Sequence, residues 1–204
     1  MNNSHPHTSA AISGERRDLG RVLLTIARSA IAARLELASR GEPGDPALAQ
    51  PGATFVTLHS HGELRGCIGS LEPIRALGVD VRENALAAAF RDPRFAPLTA
   101  REFDATSLDV SLLSPSEQLS VADEEDLVNR LHPGVDGLIL EHDGRRATFL
   151  PQVWEAIPDP RDFVAALKGK AGWSQGFWGA RMIVFRYVAT KWTEREFESY
   201  ETLR

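Results

Sequence analysis

The stretch FVTLHSHGELRGCIG, residues Phe55–Gly69, decides how this chain is read. Two β-prone runs flank His61-Gly62, a dipeptide suited to positive φ, which predicts a hairpin with a two-residue turn. That turn puts Ser60 opposite Glu63, Leu58 opposite Arg65 and Val56 opposite Cys67. Side chains alternate along a strand. Arg65, Cys67 and Gly69 are therefore expected on one face, Leu64, Gly66 and Ile68 on the other, and His59 on the side away from Cys67. Glycine weakens a strand interior. Yet Gly66 and Gly69 flank the only cysteine of the chain, and Arg65 stands just before it.

Working outward, the same pattern recurs. GLILEHDGRRATFLPQVWE, residues Gly137–Glu155, reads as a second hairpin turning at Asp143-Gly144. A helical segment follows each hairpin: Leu77 to Phe90 after the first, and a run around Phe163–Leu167 after the second. Each ends in a strand, SLDVSLLS from Ser107 and RMIVFRYVAT from Arg181. This is a diverged internal repeat. Setting Gly62 on Gly144 lays Val56 on Leu138, Leu58 on Leu140 and Ile68 on Leu150. It lays Arg65, Gly66, Cys67 and Gly69 on Ala147, Thr148, Phe149 and Pro151. The second hairpin fills this strand with ordinary packing residues, so the first hairpin's thiol, cation and glycines serve something local.

An extra helix is predicted at the N-terminus, from about Arg17 to Ser39. Leu19, Val22, Leu23, Ile26, Ala30, Ala33 and Leu37 recur there at three- and four-residue spacing. A Gly- and Pro-rich loop, Gly41 to Ala53, follows. A short turn of helix is expected near Leu98–Phe103 and an acid-started helix over Asp123–Leu131. The fold class is α+β, a mainly antiparallel sheet built from two hairpin-helix-strand repeats with packed helices. Residues 1–16 are expected to form a disordered polar tail, and residues 17–204 a single domain or two lobes (about 17–120 and 121–204).

The chain has 204 residues, ample for a core, and a formal charge of -5, which disfavours nucleic acid as a partner. WSQGFW with Lys168 and Lys170 nonetheless offers aromatic rings beside cations. One cysteine forms no internal disulfide, which favours a reducing, cytoplasmic setting. No run approaches the roughly 18 apolar residues of a membrane helix, and the N-terminus lacks the regions of a signal peptide. His5 and His7 lie in the polar tail. No metal-ligand cluster, GxGxxG or P-loop pattern occurs, and the sequence assigns no cofactor.

The candidate site residues follow from the odd strand. A guanidinium near a thiol favours thiolate, and strand glycines permit close approach of a ligand or another backbone. Cys67 and Arg65 are thus the catalytic candidates, with Gly66 and Gly69 as binding positions. The alternative is a cysteine that packs as a small hydrophobe and glycines that admit a helix. RDPRF, Arg91 to Phe95, adds Arg94 as an anion binder oriented by Asp92. Asn84, inside the helix before it, and Gln152, after the second hairpin, complete the binding set. No local pattern sets a histidine beside Cys67. Trp173, Phe177 and Trp178 are expected to form an exposed partner patch.

LRGCIG, NALAAAFRDPRF, LDVSLLSP, PGVDGLIL and FLPQVWE together resemble the AMMECR domain family, called in prokaryotes AmmeMemoRadiSam system protein A. The resemblance runs over roughly residues 18 to 195. It implies an α+β fold with one antiparallel sheet and a repeated strand-rich unit. It also implies a working context beside a Memo-like protein, itself similar to extradiol dioxygenases, and a radical SAM protein. It points to the LRGCIG strand, Arg65, Gly66, Cys67 and Gly69, as the site, and assigns those residues no role. Two functions are expected from this. One is a component that binds a small ligand or these partners at the LRGCIG strand. The other is an enzyme with Cys67 as nucleophile, redox thiol or metal ligand and Arg65 on an anionic substrate group.

Overall fold

The computed structural model describes residues 9–201, apart from 40 and 42. The chain divides into two compact units. The first comprises the described residues up to Leu112 together with the chain from Lys191. The second is Leu113–Thr190. The chain is α+β, with mainly antiparallel strands.

In the first unit, helix α1 (Ser9–Arg34) starts ahead of the expected Arg17 and stops short of the expected Ser39. Residues 1–8 of the expected polar tail, with His5 and His7, lie outside the described residues. The early stop has a local cause. Glu36 adopts φ 59°, and the Leu37 N–H reaches back to the Ala32 carbonyl at 2.9 Å. This is the Schellman closure of a helix C-terminus. Strand β1 (Pro51–Gly52) comes next, then β2 (Thr54–Ser60) and β3 (Glu63–Gly69), which form the first hairpin. Strand β4 (Arg75–Ala76) pairs with β1 and leads into α2 (Leu77–Phe90). Helix α3 (Ala100–Phe103) precedes β5 (Thr106–Leu113), which pairs with β2. Val56 and Leu58 of β2, Val81, Ala85 and Ala88 of α2, Leu23 and Ile26 of α1 and Leu108 of β5 make the first core. Trp192 belongs to the same core, which ties the chain from Lys191 to this unit.

The second unit holds β6 (Glu117–Leu119), α4 (Glu124–Arg130), β7 (Asp136–His142) and β8 (Arg145–Phe149). It continues with α5 (Pro160–Lys170) and most of β9 (Ile183–Thr193), which pairs with β7 and β6. Asp123 caps α4 and Asp159 caps α5, each accepting N–H groups that the first helical turn leaves unpaired. Trp154 stacks on Phe163 with ring centroids 3.7 Å apart at the centre of the second core. A last helix, α6 (Glu194–Glu201), closes the described chain and was not expected from the pattern.

The repeat is present in each unit as a strand order. The first unit runs β3-β2-β5 and the second runs β8-β7-β9. In both, a hairpin precedes a helix, and the following strand pairs with the hairpin's first strand. Both hairpins turn through two residues of positive φ, His61-Gly62 and Asp143-Gly144, as expected.

The two hairpins differ by one residue. In the second, the ladder is regular: His142 faces Arg145, Glu141 faces Arg146, Leu140 faces Ala147 and Ile139 faces Thr148. In the first, Ser60 faces Glu63 and His59 faces Leu64, but Leu58 faces Gly66. Arg65 has no opposite and forms a β-bulge. This corrects the expected register. Cys67 lies opposite Thr57, not Val56, and Ile68 lies opposite Val56. The repeat alignment shifts with it: Gly66 matches Ala147 and Cys67 matches Thr148.

Candidate functional site

The bulge decides which way the LRGCIG strand looks. Val56 and Leu58 point into the first core. Their β3 neighbours Gly66 and Ile68 therefore lie on the side of α2, and Cys67 and Gly69 on the other. The sequence expectation for Cys67 and Gly69 holds, as does that for Gly66 and Ile68. The expectation for His59 does not. His59 and Thr57 alternate with Leu58 on β2, so His59 shares the face of Cys67, not the opposite one. A one-residue bulge inverts parity, and nothing in the residue pattern marked it.

Each glycine answers a close approach. A Cβ on Gly66 would sit 2.2 Å from the Ala88 carbonyl oxygen of α2. Gly66 is thus what lets α2 lie on the strand. A Cβ on Gly69 would lie 2.2 Å from the ring of Phe55, its cross-strand neighbour. Both glycines serve packing inside the first unit.

Cys67 is bracketed through its backbone. Its N–H donates to Asp92 Oδ2 at 2.9 Å, and its carbonyl accepts from Arg94 Nη2 at 3.3 Å. Arg94 closes on Asp92 in a fork, Nε to Oδ1 at 2.9 Å and Nη2 to Oδ2 at 2.7 Å. The segment is set by an Asp-Pro turn after α2, in which Asp92 Oδ1 also accepts the Arg94 N–H at 3.1 Å. The Asp92 side chain is 1% exposed and that of Arg94 53%. The Arg94 guanidinium, then the N–H groups of Cys67 and Arg94, hold the Asp92 carboxyl well below the usual carboxylate range, against the opposing effect of burial. Arg94 is raised in return. RDPRF thus acts on the site, through Asp92 and Arg94. Arg91 is turned elsewhere, to exposed Glu83 at 3.3 Å.

The Cys67 thiol, half-buried, accepts a hydrogen bond from Thr57 Oγ1 at 3.3 Å. Thr57 in turn faces Asp109 of β5. Asp109 Oδ2 contacts His59 Nε2 at 3.1 Å and Lys191 Nζ at 2.8 Å. A polar row thus runs from Cys67 on β3 through β2 and β5 to Lys191 on β9, and Thr57, His59, Asp109 and Lys191 are its members that sequence reasoning missed. The signal was present, since polar residues alternate with Val56 and Leu58 in VTLHS and with Leu108 and Val110 in SLDVS. Its link to Cys67 needed the bulge. Among the described residues, no group of three or more His, Cys, Asp or Glu is placed to hold a metal ion.

Arg65 leaves the ladder and reaches α3. Its Nε and Nη2 both donate to Glu102 Oε1 at 3.3 Å, and its guanidinium carbon stands 5.9 Å from the Phe95 ring. Glu102 is fixed by the Thr99 N–H and hydroxyl in a capping box. Those bonds, and then Arg65, lower its pKa. The third nitrogen, Arg65 Nη1, is buried and has no hydrogen-bond acceptor among the described residues. Arg94 also stands over Phe95, at 5.4 Å, so both guanidinium groups flank one ring.

The remaining candidates are dispersed. Asn84 is buried in a brace around Asp80. Its Nδ2 donates to the Thr54 carbonyl at 2.9 Å and to Asp80 Oδ2 at 2.9 Å. Asp80 also takes the Thr54 N–H at 2.8 Å, Ser70 Oγ at 2.7 Å and Arg75 Nη2 at 2.7 Å. The brace pins the start of β2 to the end of β3, and no bond of Asn84 reaches Cys67. Gln152 is exposed in the second unit. Trp173, Phe177 and Trp178, expected as an exposed patch, are half-buried. Trp173 and Trp178 pack on the second core, and His142 meets the Trp173 and Phe177 rings edge-on. Lys168 is fully buried against Glu124 at 2.5 Å, and Lys170 donates to the Thr148 carbonyl at 3.0 Å. Neither is left as a free surface cation.

Fold and site together define an α+β protein with two hairpin-helix-strand units, one of which carries a bulged, side-chain-bracketed strand. The family model AMMECR1 matches residues 24–192, and the chain belongs to that family. It is 37% identical over 182 residues to a protein of Methanothermobacter thermautotrophicus, covering 85% of this chain and 93% of that one. It is 39% identical over 146 residues to protein MJ0810 of Methanocaldococcus jannaschii, covering 70% and 73%. The crystal structure of uncharacterized protein PH0010 from Pyrococcus horikoshii superposes with a TM-score of 0.74 at 32% identity, covering 87% of this chain and 92% of that one. Among the described residues no helix is long and apolar enough to cross a membrane.

Proposed function

We propose that this protein is a binding component whose site is the LRGCIG strand, serving a small anionic ligand or the Memo-like and radical SAM proteins of its system. The observation that carries this reading is Arg65 Nη1, a buried donor without an acceptor among the described residues. Leaving such a donor unpaired costs roughly 1–3 kcal/mol, which an incoming carboxylate or carbonyl oxygen recovers. Arg94, half exposed beside the same ring, supplies the second cation. A cytoplasmic setting belongs to this reading, supported by the lone cysteine.

The alternative is an enzyme that uses Cys67. The half-buried thiol on a polar face favours it. Against it, the hydrogen bond to the thiol comes from a hydroxyl, that of Thr57, and not from a base. Co-purification separates the two. A tagged chain should bring down the Memo-like or the radical SAM protein, Arg65→Ala should release it, and Cys67→Ser should not. Capture unchanged by Arg65→Ala would remove the site from this strand.

A further inference from the structure

β3 ends the strand order of its sheet. The outward N–H and C=O groups of such an edge strand are a template for pairing with another chain. At Cys67 both outward groups are taken, the N–H by Asp92 and the carbonyl by Arg94. One acceptor and one donor, locked together by their own fork, stand where a neighbouring strand would offer a carbonyl and an N–H. In the second unit, β8 ends the order β8-β7-β9. Its residue Thr148 matches Cys67 by register, and its carbonyl is taken by the Lys170 side chain at 3.0 Å. Two units of dissimilar sequence place a cationic side chain on the same backbone carbonyl of their edge strands.

We propose that the Asp92–Arg94 pair is an edge guard: it occupies the backbone groups through which the LRGCIG strand would otherwise pair with the same strand of a second copy. This role shares Arg94 with the ligand reading above but concerns the Cys67 backbone groups, which Arg65 does not touch, and it is read by mass, not by ligand or partner capture. It accounts for a carboxylate buried to 1% exposure whose partner is half in water. A surface ion pair does not need that burial, whereas a bond to a strand N–H does.

The test is light scattering of the full chain over a concentration series, with amide exchange at Cys67 followed in parallel. Asp92→Ala/Arg94→Ala is compared with wild type and with Glu83→Ala/Arg91→Ala, which removes a neighbouring exposed pair. The guard variant is expected to exchange the Cys67 amide roughly tenfold faster, and its mass is expected to rise with concentration while the control stays with wild type. A guard variant that is folded and keeps the wild-type mass at every concentration overturns the proposal. Should the double variant not fold, Arg94→Ala alone is read by its mass against concentration. It frees the carbonyl and leaves Asp92 on the N–H.

Discussion

Gly66 and Asp92 show how little freedom the strand has. At Gly66, a methyl group would meet the Ala88 carbonyl oxygen at 2.2 Å. That obstacle is backbone, so no side-chain rotation relieves it. Gly66→Ala is expected to cost about 2–3 kcal/mol, read as a lowered urea midpoint. A change within about 0.5 kcal/mol would mean that α2 shifts freely. At Asp92, the folded state holds the carboxylate ionised far below an unfolded aspartate near pH 3.9. Its contribution is therefore complete above about pH 4 and is lost as pH falls further. Unfolding free energy measured against pH should drop less steeply below about pH 4 in Asp92→Asn than in wild type. Equal slopes would contradict the bracket. At this scale the sequence singled out four residues that hold or flank the strand, Arg65, Cys67, Asp92 and Arg94. It missed the Asp109 row, because the alternating polar residues join Cys67 only through the bulge.

Elements explain that miss. Hairpin turns and the helices and strands of the repeat were legible because turn chemistry and periodicity are local. The bulge was not, because Arg65 leaves the ladder for Glu102 and Phe95, partners 37 and 30 positions away. Deleting Arg65 should convert the first hairpin to the regular register of the second, with Leu58 still opposite Gly66. Fold should survive, with cross-strand proton contacts showing His59–Leu64 and Leu58–Gly66 as consecutive pairs. A chain that unfolds on this deletion would show that the bulge is required by the core. A second element-scale expectation concerns Lys168, buried between α4 and α5. Glu124→Ala leaves that ammonium without its carboxylate and should cost about 3–5 kcal/mol in thermal or denaturant unfolding. Lys168→Met, which removes the charge with its partner still half in water, should cost clearly less. The reverse order would mean that the loop carbonyl of Gln175, rather than Glu124, holds the lysine.

At the scale of the whole molecule, one topology is used twice to different ends. The second hairpin is regular and its strand β8 packs on α5 with Ala147 and Phe149. The first spends one extra residue and two glycines to turn a thiol to the face of the polar Thr57–Asp109 row while bracketing the strand from its edge. The repeat was readable from spacing. The aromatic patch around Trp173 was misjudged, because a Gly-rich loop reads as surface while the second core recruits its rings. The function we propose is recognition through Arg65 and its surroundings, with Cys67 as part of the surface. Calorimetric titration of Cys67→Ser with the proposed Memo-like or radical SAM partner tests this most directly. The account predicts an affinity within about threefold of wild type, under roughly 0.7 kcal/mol, while Arg65→Ala binds at least tenfold more weakly. Loss of tenfold or more in Cys67→Ser, with Arg65→Ala unchanged, would contradict it and return the site to thiol chemistry.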